Sequence, residues 1–225
     1  MLKRISFLLV SAVTLTAFEA TVDYSDPMVD RLLAIEQSRE QADEPCIISQ
    51  YDAVMRKVAS EQGHDWRLMS AIAYSESRFR EGLVSRRGAA GIMQIRPVVA
   101  RHFNIPVEMI DDLETNIRLA GMLLSELDAM LGISADASAS DRLCIILAAY
   151  NAGVGHVTDA RRLARLHGEN PDSWSTVSRY LALKAQPEYY LSEAVRNGRF
   201  TGSRQTDKYV AGVMRKYGQY CDMAV

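Results

Sequence analysis

Glu76 stands in the segment Tyr74-Ser75-Glu76-Ser77-Arg78-Phe79, at the end of an apolar helical stretch and between aromatic rings. Apolar surroundings penalise the charged form of a carboxyl and raise its pKa, so such a group keeps its proton near neutral pH. A proton held in that way is what a general acid needs to break a glycosidic bond. The plainer reading is a helix-end glutamate in solvent or paired with Arg78 or Arg80, and the position alone does not choose between the two.

Other groups with usable chemistry follow along the chain. Ser85 and Gln94 offer a hydroxyl and an amide for hydrogen bonds to a polar ligand, and Met93 offers a polarizable apolar contact. Tyr150 and Asn151 end an apolar helix, and Tyr209 lies in Thr206-Asp207-Lys208-Tyr209-Val210. Each has a plain structural alternative, whether a turn, a helix stop or a core ring. Arg78, Arg80, Arg86, Arg87 and Arg96 crowd the same region and suit a ligand bearing carboxylates, or are simply solvated loop charge.

Taken together, Glu76-Ser77-Arg78-Phe79, Gly91-Ile92-Met93-Gln94 and Ala149-Tyr150-Asn151 resemble the three signature segments of the family 23 lytic transglycosylases and their goose-type lysozyme relatives. Ile92 replaces the leucine of the family pattern. The similarity extends through Gly155-His156, Asp159 to Ala164, Asn170 to Trp174 and Gln186 to Tyr190, and there it looks like the catalytic domain of the membrane-bound lytic transglycosylase F subgroup. Full-length members of that subgroup carry a solute-binding-type domain for which this chain has no room. The resemblance implies a mainly α, lysozyme-like fold with at most a small β-hairpin. It implies that Glu76 protonates the oxygen between N-acetylmuramic acid and N-acetylglucosamine and then takes the proton of the muramoyl 6-hydroxyl, leaving a 1,6-anhydro end. Ser85, Met93, Gln94, Tyr150, Asn151 and Tyr209 would line the cleft, with Tyr180 as a rival for the role of Tyr209. No second carboxylate occurs at the matching positions, although Glu81, Asp111, Asp112 or Glu114 could fold back. Hydrolysis on the same fold, and a non-catalytic peptidoglycan-binding part of an envelope-spanning secretion machine, are the alternatives.

The elements that must hold these residues are helical. Tyr51, Val54, Met55 and Val58 recur at helical spacing with Gly63 as a stop, and Asp65 is placed to cap a helix carrying Leu68, Met69 and Ile72. Gly82 to Pro97 reads as an ordered loop. Ile117, Ala120, Leu124, Leu127 and Leu131 mark the buried face of a helix introduced by Asp111 and Asp112. Ser134 to Ser140 reads as a linker, followed by a helix from Arg142 to Asn151 that Gly153 and Gly155 break. Helices around 157–166 and 174–181 come next, and Tyr209, Val210, Val213, Met214 and Tyr217 share one face of the last.

With 225 residues, 48% hydrophobic, and a formal charge of -2, the chain supports one domain of ordinary size and leaves no global basic footprint for nucleic acid. Residues 1–20, with Lys3 and Arg4 before an apolar run from Ile5 to Phe18, read as a signal peptide or an uncleaved signal anchor. Residues 21–45 form a polar leader and 46–225 the catalytic domain, a monomer exported to the periplasm or cell envelope. His64, His102, His156 and His167, with Cys46, Cys144 and Cys221, lack metal-ligand spacing, so neither metal nor cofactor is expected. Export would allow a Cys46–Cys221 bridge, and Cys144 in its apolar helix suits a buried thiol.

Overall fold

Helical periodicity in the apolar residues carries through to the computed structural model, which describes residues 47–223. Asp52 accepts the amide hydrogens of Ile48 and Ser49 and so fixes the entry to α1 (Asp52–Gln62). Met55, Val58 and Ala59 are its buried face, and Gly63, in the left-handed region at φ 73°, returns its N–H to the last turn. Helix α2 (Trp66–Ser77) starts on Asp65, whose carboxylate accepts from the Arg67 amide at 2.9 Å. The Tyr217 hydroxyl donates to the same carboxylate, so one side chain caps α2 and ties it to the C-terminal helix.

After α2 the chain runs through a loop with two isolated antiparallel bridges, Val84 to Ala90 and Ala90 to Ile95, which is the small β element expected. Then come α3 (Pro97–His102), a 3-10 turn (Val107–Asp111) and α4 (Leu113–Leu131), whose N-cap Asp112 accepts from the Thr115 amide. Helix α5 (Ala139–Ala152) is buried at every position from Cys144 to Ala149, the pattern of a helix wrapped on all sides. Around it stand α4, α6 (Val154–Leu166), α7 (Trp174–Leu183) and α9 (Ser203–Asp222), with the short α8 (Pro187–Tyr190) between the last two in sequence. Helix α9 packs against α2, α5 and α7, and α4 packs against α1 and α5.

The sequence reading differs from this arrangement in three places. Helix α5 begins at Ala139, because Ser138 caps it by accepting from the Asp141 amide, so the linker ends earlier than its polar composition suggests. Gly155 does not break a helix; it lies inside α6, where a Cβ would stand 2.4 Å from the Asn197 amide oxygen. Helix α3 forms within a stretch that lacks periodicity, nucleated by Pro97 at its first turn. Cys144 is buried with a free thiol and Cys221 also carries a free thiol; Cys46, and with it the expected bridge, lies outside the described residues, as do the signal segment and the polar leader. Among the described residues, no helix is long and apolar enough to cross a membrane.

Candidate active site

Glu76 occupies the last turn of α2. Next to it, the buried Ser77 hydroxyl donates to the Ile92 carbonyl at 2.9 Å and stitches the helix end to the following loop. The chain then turns away sharply, since Arg78 and Phe79 both adopt positive φ, 55° and 60°. Left-handed backbone costs a residue with a side chain about 1–2 kcal/mol, so surrounding contacts must hold this turn. Part of that hold is the Phe79 ring, which packs against Tyr74 and Tyr51 at centroid distances of 6.0 and 6.2 Å.

Burial pushes the Glu76 carboxyl up to about 7, with the nearby Tyr209 hydroxyl pulling modestly the other way. Neither Arg78 nor Arg80 acts on it; the Arg80 guanidinium donates to the Ser77 carbonyl instead. The carboxylates that could have folded back are engaged elsewhere. Glu81 lies against the Tyr51 hydroxyl, Asp112 caps α4, Glu114 pairs with Lys57 and Arg118, and Asp111 is exposed. Among the described residues, Glu76 is thus a carboxyl without a carboxylate or cationic partner.

The loop opposite Glu76 is built around Asn116. This fully buried side chain, on α4, accepts from the Met93 amide at 2.8 Å and donates to the Ala90 and Ile110 carbonyls, both at 2.9 Å. Gly91, at φ 75°, passes so close that a Cβ would lie 2.4 Å from the Asn116 amide nitrogen. Gln94 takes φ 49°, and its amide nitrogen donates to the Leu83 and Gly91 carbonyls, leaving the amide oxygen as the end available to a ligand. Ser85 closes the loop's turn, its hydroxyl accepting from the Ala89 amide at 3.0 Å. Met93 has no exposed surface, so the expected side-chain contact to a sugar face is not available from it. Its carbonyl has a different part, as acceptor for the Tyr150 hydroxyl at 2.9 Å.

Helix α5 delivers Tyr150 and Asn151 in its final turn. Tyr150 lies near enough to Glu76 that burial, and then the carboxylate's charge, raise its pKa well above normal. Asn151 accepts from the Thr206 hydroxyl at 3.1 Å, which joins α5 to α9. Tyr209, from α9, is held well above its normal pKa by burial and by Glu76, yet its buried hydroxyl completes no hydrogen bond of ordinary geometry. Tyr180 does not compete for this place, because its hydroxyl donates to Glu169. The histidines are occupied too: His64 bonds Gly121, His102 bonds Glu126, His156 bonds Lys184, and the His167 ring stacks on Tyr180.

Glu76, Tyr150, Asn151 and Tyr209 therefore come together from α2, α5 and α9; Gln94 lies on the loop that Tyr150 reaches through the Met93 carbonyl, Ser85 closes that loop's turn, and the Met93 side chain is in the core. Ser77 and Asn116 were missed. Asn116 was detectable in principle, since it falls on the same helical stripe as Ala120, Leu124, Leu127 and Leu131, a polar residue where the pattern calls for an apolar one. Chemically, the site offers one proton-holding carboxyl and a buried phenol aimed at it. It also offers an amide oxygen on a rigid loop.

The Transglycosylase SLT domain family matches residues 53–172. The chain is 33% identical over 172 residues to a membrane-bound lytic murein transglycosylase F of Marinobacter nauticus, a match that covers 76% of this chain and 32% of that protein. It is 34% identical over 170 residues to the protein of the same description from Alteromonas mediterranea, covering 76% and 35%. The chain thus spans about a third of the length of these curated relatives. Among solved structures, an inactive mutant of the lytic transglycosylase Slt from Pseudomonas aeruginosa superposes with a TM-score of 0.52 at 22% identity, covering 78% of this chain and 25% of that one; the likeness is one of fold. With the family match spanning Glu76, the Asn116 loop and the Tyr150 turn, the chain belongs to the Transglycosylase SLT domain family.

Proposed function

We propose that this protein is a lytic transglycosylase that cleaves peptidoglycan glycan strands between N-acetylmuramic acid and N-acetylglucosamine, with Glu76 as acid and then base. The observation that carries the reading is the state of Glu76: buried, raised to about 7, and without a second carboxylate beside it. In the first half-reaction the Glu76 proton passes to the glycosidic oxygen as the bond to the muramoyl C1 breaks. The resulting carboxylate takes the proton of the same sugar's 6-hydroxyl while that oxygen bonds C1, which closes the 1,6-anhydro ring and restores the acid. Water is neither consumed nor needed. A retaining or inverting hydrolase of the usual kind would want a second carboxylate as nucleophile or base, and the surroundings of Glu76 supply none. Tyr209 is suited to steady the carboxylate midway through the cycle, and the Gln94 amide oxygen to accept from a substrate N–H. The relatives' descriptions as membrane-bound murein enzymes and the basic-then-apolar residues 1–20 support an envelope location.

Mass spectrometry of fragments released from purified sacculi, run beside Glu76→Gln, tests this reading. Anhydro ends from the parent and none from the variant are expected. Reducing ends, heavier by one water, would replace the transglycosylase with a hydrolase, and release undiminished in the variant would remove Glu76 from the mechanism. No release by either protein would favour a binding role.

A further inference from the structure

Tyr209 and Asn151 also line a groove between α2 and α9, with Tyr74 and Ser75 on its α2 side. Four cations face it: Arg78 from the end of α2, and Lys208, Arg215 and Lys216 from α9. No carboxylate lines it. Lys208 and Arg215 lie seven positions apart on α9 and so share one stripe, with Gly212 between them. A Cβ at Gly212 would meet no atom, so the floor of the groove is open there.

Like charges gathered on one surface repel and do nothing for folding. Several basic side chains of the molecule are matched by a carboxylate, Lys57 and Arg118 by Glu114, Arg142 by Asp128, Arg161 by Asp172 and Arg179 by Glu169, while others, such as Arg86, Arg101 and Arg204, stand unpaired among the described residues but do not share this groove. Among the described residues the four groove cations form no ion pair; Lys216 rests over the Tyr74 ring at 4.5 Å. On a chain of formal charge -2 this is a local excess with its counter-charge missing.

We propose that this groove binds the carboxylates carried by the substrate strand's muramoyl substituents, and that Lys208 and Arg215 thereby select strands by what hangs from the sugar. The proposal rests on the glycan-strand reading of the Glu76 site. The sugar backbone of such a strand is neutral, so negative charge on it resides in the stem-peptide carboxylates or, where the peptide has been removed, in the exposed lactyl carboxylate. Because Tyr209 and Asn151 belong to both the groove and the surroundings of Glu76, a strand seated for cleavage brings one of its substituents to the groove mouth.

Binding measured on Glu76→Gln protein, which reads affinity without turnover, separates this proposal from the question of which product forms. Three ligands are compared: soluble strands bearing stem peptides, the same strands stripped by an amidase, and uncharged N-acetylglucosamine oligomers. Adding Lys208→Gln with Arg215→Gln is expected to weaken binding of charged strands about ten-fold, the equivalent of two partly exposed charge contacts. Their salt dependence should flatten, while the uncharged oligomers bind as before. Loss confined to stem-bearing strands assigns the groove to peptide carboxylates, and equal loss on stripped strands assigns it to the lactyl group. Gly212→Trp, which fills the open floor without disturbing a contact, should reproduce the loss. Unchanged affinity for every charged strand in both variants, with unaltered thermal melting, overturns the proposal. Failure of the Glu76→Gln parent to bind any of the ligands overturns the glycan-strand reading together with it.

Discussion

Burial at the end of α2 keeps Glu76 protonated up to about pH 7, and that has a thermodynamic signature apart from catalysis. Between the ordinary value of 4.5 and the folded value of about 7, the unfolded chain releases this proton while the folded chain retains it. Stability from this group is therefore complete below the unfolded pKa and is lost as pH rises through the folded one, by roughly 3 kcal/mol at 1.36 kcal/mol per pH unit. Glu76→Gln should melt close to the parent at pH 4.5 and several degrees above it at pH 8; a gap that stays constant across that range would contradict a buried acid. Tyr209 gives a second test of the same kind. Its hydroxyl lies against the Glu76 carboxyl without closing a hydrogen bond of ordinary geometry, so Tyr209→Phe should cost little stability yet lower turnover by about ten-fold or more. Matching losses in melting temperature and rate would make it a structural ring. The order of the motifs in the sequence already sets Glu76, Gln94, Tyr150, Asn151 and Tyr209 apart as groups whose chemistry suits a ligand. Residue type does not reveal that the Ser85 hydroxyl also accepts from the Ala89 amide of its own loop, nor that the Met93 thioether lies in the core and not at the cleft surface.

The helices themselves followed from periodicity and caps: Asp65 and Asp112 start helices, Gly63 stops one, and the stripe from Ile117 to Leu131 is buried. The loop between α2 and α3 did not follow, since its shape is decided by a residue far along the chain. Asn116 satisfies one amide and one carbonyl of this loop and a carbonyl of the 3-10 turn, and no pattern local to residues 82–96 records that debt. Asn116→Leu is expected to strand those three groups and cost about 3 kcal/mol or more, with activity lost below the melting transition because Gln94 loses its placement. Gly91→Ala should behave alike, as the added carbon meets Asn116 and the φ of 75° is unfavourable. Full activity in either variant would mean the loop has another anchor. The same limit explains Gly155: a glycine inside a helix reads as a break until Asn197 is seen pressed against it.

At the scale of the whole molecule, contacts distant in sequence join the part of the chain before Asp172 to the part after it. Asp159 on α6 is fully buried and accepts from Lys184, which caps α7, at 2.7 Å and from the Arg196 and Asn197 amides. Burial pushes its carboxyl up, but these donors outweigh that and hold it below the ordinary range. Val210 and Val213 of α9 are buried in the core, and Tyr209 comes from the same helix. The family match, however, ends at Asp172. A truncated chain that stops there keeps Glu76 and every signature segment through Asn151. It also bares the α2 and α5 surfaces that α9 covers and leaves Asp159 without Lys184. Such a fragment should fail to show a cooperative thermal transition, and a well-folded, active one would contradict the packing described. The smallest autonomous unit of this enzyme family's fold, in this protein, is longer than the stretch by which its kinship is recognised.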